Sequence, residues 1–300
     1  MALGLIRTVA FLGTGLMGVP MVHRLLQAGI AVRVWNRTAD KLRPLSATGA
    51  VIAATPAAAA EGADAVCLCL ASVAAAESVL FGADGISTGH ARPELIVDFS
   101  TIGPEATADF AARMRQSCGS AWVDAPVSGG VPGALHGKLV IFCGGTVSDL
   151  ARLSAVFGAL AQRVTHVGAV GAGQTMKLCN QLIVSSNFVA IAEAIALARA
   201  GGIDARTLPE ALAGGFADSI PLQVFGNRMA EGITTPMLGA IALMLKDASA
   251  IGVLAAAKRQ HLPLAAATLA VYRQAAAQGL ADQDLAALMA LYSNGTASSA

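Results

Sequence analysis

Lys177 follows the Gly-Ala-Gly of GAGQTMKLCNQ by four residues and heads a long apolar run, flanked by Met176 and Leu178. On a helix it shares a face with Asn180, Gln181 and Val184. Burial disfavours the charged form of an ammonium and brings proton transfer near neutral pH within reach, so Lys177 is a candidate general acid or base. The same spacing also suits a structural lysine that lays its stem on apolar surface and keeps its charge in water. A second candidate is Ser128-Gly129-Gly130 in DAPVSGGVPGA, where successive amides and a hydroxyl make a concave donor site for a carboxylate. A plain β-turn has the same composition.

A third cluster binds rather than reacts. TVAFLGTGLMG sets Gly13, Gly15 and Gly18 as GxGxxG, with Leu16 and Met17 between them, directly after a strand pattern and at the start of a helix. Such glycines allow a tight turn and close approach of a pyrophosphate, and the helix N-terminus supplies amide donors. About twenty residues on, where an NAD site presents an acid to the ribose, stands Asn36-Arg37-Thr38. No carboxylate there repels a 2′-phosphate, and Arg37 can pair with one, so NADP(H) is expected over NAD(H). Arg37 as an ordinary surface residue is the alternative, and Asp40 is a nearby acid. Leu70-Ala71 and Ser100-Thr101 end two further strand patterns at the edge that would face the cofactor, with Thr101 a candidate donor to the nicotinamide ribose. Ser100 and Thr101 equally suit the N-cap of the next helix.

The elements that must carry these residues alternate. TVAFLG, AVRVWN, VIAA, AVCLCLA, LIVDFST, AWVDAPV, LVIFCGG and RVTHVG read as strands, and 18–29, 74–81, 104–117 and 148–160 as amphipathic helices between them. Such βαβ alternation implies a mainly parallel, doubly wound sheet of Rossmann type over residues 1–170. After Gly171 the strand signals stop, and 171–300 is expected to be an all-helical domain. Residues 174–200 form one uninterrupted helical pattern, roughly 40 Å long at ~1.5 Å per residue, which would join the two. Helices are also expected near 204–213, 218–231, 236–259, 263–278 and 281–292, with a frayed tail at SNGTASSA.

Bulk composition excludes several classes. Of 300 residues 55% are hydrophobic and 13% charged, with a net charge of +1, which speaks against a nucleic-acid or anionic-membrane surface as partner. The apolar stretches 182–201 and 236–256 contain Glu193 and Lys246-Asp247 and read as buried helices rather than membrane spans. MALGLIRT is short for a cleavable leader ahead of the first strand pattern, so a cytoplasmic protein is expected. Five cysteines form no CxxC pair and five histidines are scattered, so no metal site is expected.

FLGTGLMGVPM, DFSTIGP, DAPVSGG, GAGQTMKLCNQ and the later Lys246-Asp247, in that order, resemble the β-hydroxyacid dehydrogenase family along essentially the whole chain. The resemblance implies that Lys177 is the catalytic acid/base, that Ser128, Gly129 and Gly130 bind the substrate carboxylate, and that Asn180 orients the substrate. It also implies that Lys246 reaches the cofactor and that the second domain pairs subunits into a homodimer or homotetramer. Gln181, expected with Asn180 to bind the substrate, stands where a second asparagine is usual, adding a methylene while keeping donor and acceptor. Asn180-Gln181 and GGFADSIPLQVFGNRM resemble tartronate semialdehyde (2-hydroxy-3-oxopropionate) reductases, whereas VWNRTADK resembles NADP-using glyoxylate and succinic semialdehyde reductases. The expected activity is thus NADPH-linked reduction of a short aldehyde acid, 2-hydroxy-3-oxopropionate to glycerate in the first instance. Glyoxylate or succinic semialdehyde reduction, 3-hydroxyisobutyrate oxidation, or a noncatalytic NADP(H) sensor are the alternatives.

Overall fold

Uninterrupted apolar runs such as AVCL and LIVD become strands buried on both faces, as parallel strands covered by helices must be. The computed structural model describes residues 6–292, so the SNGTASSA tail lies outside the described residues. The chain divides into two compact units, Met1–Lys177 and Leu178–Ala300.

In the first unit β1 (Thr8–Leu12), α1 (Gly18–Gln27), β2 (Ala31–Trp35), β3 (Val51–Ile52), α2 (Pro56–Ala60), β4 (Ala65–Leu68), α3 (Val73–Phe81), β5 (Leu95–Asp98), α4 (Pro104–Cys118) and β6 (Ala121–Asp124) alternate. They are followed by β7 (Val127–Ser128), α5 (Gly130–Leu135), β8 (Leu139–Gly144), α6 (Val147–Arg152), α7 (Ser154–Leu160) and β9 (Ala161–Gly168). The sheet runs β3-β2-β1-β4-β5-β6-β8-β7, with β9 against β8. Strands β3 to β6 along that path are all parallel, whereas β8 lies antiparallel to β6 and β7. Strand order reverses between β1 and β4, the switch point at which open α/β sheets bind ligands beyond their carboxyl ends. The expected mainly parallel sheet is therefore present, and each strand pattern read from the sequence falls on a strand.

Alternation along β1 builds the two halves of the core. Val9 and Phe11 pack on one face with Met21, Leu25, Val97 and Phe157, while Ala10 and Leu12 pack on the other with Leu80, Ile96, Phe110 and Trp122. Phe99 stands between Phe11 and Phe157 at 6.4 and 6.5 Å, one contact stacked and one edge-on.

Helix α8 (Ala172–Ala200) is the longest element. Among the described residues it is the one helix long and apolar enough to cross a membrane, yet it carries buried Gln174, Lys177, Gln181 and Ser185. The second unit adds α9 (Leu208–Leu212), α10 (Ile220–Glu231), α11 (Ile241–Ala257) and α12 (Pro263–Ala277) around a core that includes Phe188, Phe225, Met229, Tyr272 and Leu288. Two expected helices differ. Residues 236–240 do not join α11, because Leu238 N and Gly239 N donate to Asp284 Oδ2 and Ile241 N donates to the Gln283 carbonyl. Residues 285–292 coil as a 3₁₀ segment rather than an α-helix.

Candidate active site

Four parallel strands in the order β2, β1, β4 and β5 deliver the expected cofactor residues to one edge of the sheet. Gly13, Gly15, Leu16, Met17 and Gly18 form the turn from β1 into α1, Asn36, Arg37 and Thr38 follow β2, Leu70 and Ala71 follow β4, and Thr101 follows β5. The glycines of the turn divide by physical role. A Cβ on Gly13, whose φ is +105°, would collide with the Cys69 carbonyl and lie 2.9 Å from Leu70 Cδ2. A Cβ on Gly18 would collide with the Gly13 carbonyl. Gly15 is different, since nothing lies within 4 Å of its Cβ position. Gly13 therefore lets the turn pack against the end of β4 and Gly18 lets the turn close on itself, while Gly15 opens onto free space of the kind a pyrophosphate occupies. Helix α1 has no side-chain cap and no acid in its first turn, which leaves its leading amides suited to an anion.

The edge is stitched by side chains. Asn36 Oδ1 accepts from Thr14 N at 3.1 Å and its Nδ2 donates to the Thr38 carbonyl at 2.9 Å, so Asn36 braces the glycine turn against the end of β2. Arg37 is exposed beside it, and Asp40, the acid that could have opposed a phosphate, is paired with Arg43 at 3.0 Å. Ser100 N donates to Asp98 Oδ1 and Ser100 Oγ accepts from Leu70 N at 2.8 Å, tying β5 to β4. The N-cap of α4 is Gly103, at φ +85°, so Ser100 and Thr101 do not cap that helix and the half-buried Thr101 remains at the edge.

Ser128 ends β7 and is half-buried, and Gly129 and Gly130 are exposed at φ +122° and +59°. Glycine adopts such positive-φ backbone without the steric penalty of a Cβ. On α8 Lys177, Asn180 and Gln181 recur at helical spacing, with Lys177 only 8% exposed. Asn180 Nδ2 donates to Gln181 Oε1 at 2.9 Å, and Gln181 Nε2 donates to Asp247 Oδ2 at 2.5 Å. Lys246, a third exposed, forms an ion pair with Asp247 at 3.3 Å on α11.

Two residues that sequence reasoning missed join this arrangement. Asp124, fully buried at the end of β6, accepts from Gly171 N at 2.7 Å and Gln174 N at 2.8 Å. Burial pushes its carboxyl above the usual range, and those amides oppose the shift. Gln174 Oε1 accepts from Ile102 N and Gly103 N, and its Nε2 donates to the Ser100 carbonyl at 2.8 Å. The only local signal was a run of polar residues opening an otherwise apolar helix. Among the described residues no group of three metal-ligating side chains gathers. Burial pushes the thiols of Cys67, Cys69 and Cys143 up to about 12.

A switch-point edge with a glycine turn, and beyond it a helix bearing a buried lysine, define a nicotinamide-dependent oxidoreductase. Residues 8–168 match the family model described as the NAD binding domain of 6-phosphogluconate dehydrogenase, and 171–292 that described as NAD-binding of NADP-dependent 3-hydroxyisobutyrate dehydrogenase. The chain is 36% identical to 2-hydroxy-3-oxopropionate reductase of Escherichia coli over 94% of its own length and 95% of the relative's. It is 32% identical to the NAD-dependent L-serine dehydrogenase of Pseudomonas aeruginosa, over 95% and 98%. The crystal structure of 3-hydroxyisobutyrate dehydrogenase from Salmonella typhimurium superposes with a TM-score of 0.86 at 27% identity, covering 95% of this chain and 99% of that one. The chain belongs to the β-hydroxyacid dehydrogenase family, as an NAD(P)-dependent oxidoreductase.

Proposed function

We propose that this protein uses NADPH to reduce a short aldehyde acid, 2-hydroxy-3-oxopropionate, to glycerate. The observation that carries the reading is the buried Lys177 on α8, in a chain similar over nearly its whole length to a reductase of that acid. Bound NADPH supplies the hydride. The Ser128 hydroxyl and the amides of Gly129 and Gly130 hold the substrate carboxylate, which orients the aldehyde. Lys177 gives its proton to the alkoxide oxygen as charge develops there, and Asn180 holds that oxygen in line. Gln181 fixes the Asp247 carboxylate that pairs with Lys246, and Lys246 is assigned as a cofactor contact on the strength of the family resemblance.

Preference for NADP(H) rests on Arg37, exposed at the end of β2, and on the lack of a carboxylate at positions 36–38. Gly13, Gly15, Leu16, Met17 and Gly18 would cradle the pyrophosphate, Asn36, Arg37 and Thr38 the adenosine ribose with its phosphate, and Leu70, Ala71 and Thr101 the rest of the dinucleotide. Exposed Ile183, Leu197, Val253 and Leu264 on the helical unit support a homodimer or homotetramer.

Initial rates with NADPH and NADH against 2-hydroxy-3-oxopropionate, glyoxylate, succinic semialdehyde and methylmalonate semialdehyde test the reading, with Lys177→Ala as control. NADPH-linked turnover of the first, lost in the variant, is expected. Preference for another aldehyde moves the substrate and keeps the mechanism, whereas NADPH binding without turnover of any refutes the reductase and leaves a cofactor sensor.

A further inference from the structure

Helix α8 begins without a cap of its own. Its N-cap position is Gly171, which has no side chain and sits at φ +91°, although the first amides of a 29-residue helix still need acceptors. Asp124 supplies them from 47 residues earlier, Oδ1 to Gly171 N and Oδ2 to Gln174 N. A carboxylate at this end also meets the positive pole of the helix. The surroundings are cleared for it. A Cβ on Gly173 would lie 2.8 Å from Asp124 Oδ2, and one on Gly144 would collide with Oδ1.

An acceptor at the helix start fixes where the helix begins along its axis but leaves it free to roll. Gln174 removes that freedom. Fully buried, it spends both ends of its amide on the loop after β5, accepting from Ile102 N at 3.2 Å and Gly103 N at 3.1 Å and donating to the Ser100 carbonyl at 2.8 Å. Lys177 lies three residues on, about 4.5 Å along the axis and within roughly 60° of the same face. The intervening turn is helical, so a slide or roll of the first turn carries the backbone of Lys177 with it. The loop that Gln174 grips contains Thr101, and Ser100 in turn holds Leu70 N. The helix is thus indexed against the same strand ends that carry the expected cofactor residues. All these groups belong to the first compact unit.

We infer that Asp124 and Gln174 are positioning residues that set the axial place and the rotation of Lys177 relative to the cofactor-bearing edge. The inference rests on the reading of Lys177 as the proton donor. Gln174→Met keeps the volume and removes the three hydrogen bonds, Gln174→Asn keeps the amide and withdraws it by a methylene, and Asp124→Asn turns one acceptor into a donor facing an amide. Each is assayed for kcat and KM with the aldehyde acid, for NADPH Kd by nicotinamide fluorescence, and for Tm, alone and combined with Lys177→Ala.

A misplacement of order 1 Å lowers kcat about 100-fold, so Gln174→Met is expected to lose roughly 10- to 100-fold in kcat, with NADPH Kd within about twofold of wild type. Gln174→Asn and Asp124→Asn should fall between it and wild type. Added to Lys177→Ala, none should lower the residual rate of that variant, followed at high enzyme concentration, because the effect runs through the lysine. Wild-type kcat in any soluble Gln174 variant overturns the inference, as does an equal loss with and without Lys177. If Gln174→Met does not fold, Gln174→Asn and Asp124→Asn carry the same test. Full turnover in Lys177→Ala alone would overturn the reading of Lys177 itself, whereas an inactive Lys177→Ala beside fully active Gln174 variants would overturn only the positioning role.

Discussion

Replacing Gly15 with alanine separates what the fold needs from what the ligand needs. Nothing in the protein lies within 4 Å of a Cβ at this position, and Gly15 is not among the residues at positive φ. The methyl group therefore costs the folded chain neither contact nor strain, and Tm without ligand should hold or rise slightly. In the proposed cofactor site the same methyl group meets the pyrophosphate. Displacing that anion by a methyl radius weakens charge-assisted bonds worth about 1.5–3 kcal/mol each. Loss of about 2 kcal/mol raises the NADPH Kd about 30-fold. At a concentration about 100 times the wild-type Kd, NADPH stabilises wild type by about 2.7 kcal/mol and such a variant by about 0.9 kcal/mol. Thermal unfolding with and without NADPH reads that difference directly. Gly13→Ala serves as the contrast, because its Cβ collides with the Cys69 carbonyl at a left-handed φ and should lower Tm even without ligand. Unchanged NADPH stabilisation in Gly15→Ala would refute the placement of the pyrophosphate on this turn.

Arg37→Ala should raise the NADPH Kd about tenfold, the equivalent of about 1.4 kcal/mol for one solvent-exposed ionic contact, and leave NADH binding unchanged; equal losses for both nucleotides would end the 2′-phosphate assignment. Gly173→Ala places a methyl group 2.8 Å from Asp124 Oδ2 and against the Phe142 carbonyl, so Tm should fall by the equivalent of about 1–3 kcal/mol of overpacking and kcat should fall with it, as unfolding and steady-state rates will show. At pH 8.5 the thiols of Cys67, Cys69 and Cys143, pushed up to about 12 by burial, stay protonated, because pH remains far below their pKa. Iodoacetamide on the native protein should therefore label exposed Cys179 first, and mass spectrometry finding Cys67 modified as fast would contradict the buried sheet.

Much of this protein was written locally in its sequence. Two-residue alternation, apolar runs and glycine punctuation depend on neighbours in the chain, and they marked every strand except the two-residue β7, which merged with β6 in the run AWVDAPV, together with the turn at Gly13, Gly15 and Gly18 and the long helix bearing Lys177. The spacing of Lys177, Asn180 and Gln181 is likewise a property of one helix. Partners distant in sequence are another matter. That Asp124 caps a helix beginning at Ala172, that Asn36 braces Thr14, and that Gln174 grips Ser100, Ile102 and Gly103 follow only from strand order, which brings the ends of β1, β2, β4, β5 and β6 to one edge. Residues 236–240 show the same limit, since a helical pattern there yields to the backbone hydrogen bonds offered by Asp284 and its loop. Periodicity records which face of an element is apolar, and it therefore determined the elements. Hydrogen bonds between buried polar groups are satisfied by whichever segments folding brings together, so only the tertiary structure decided how Lys177 is held.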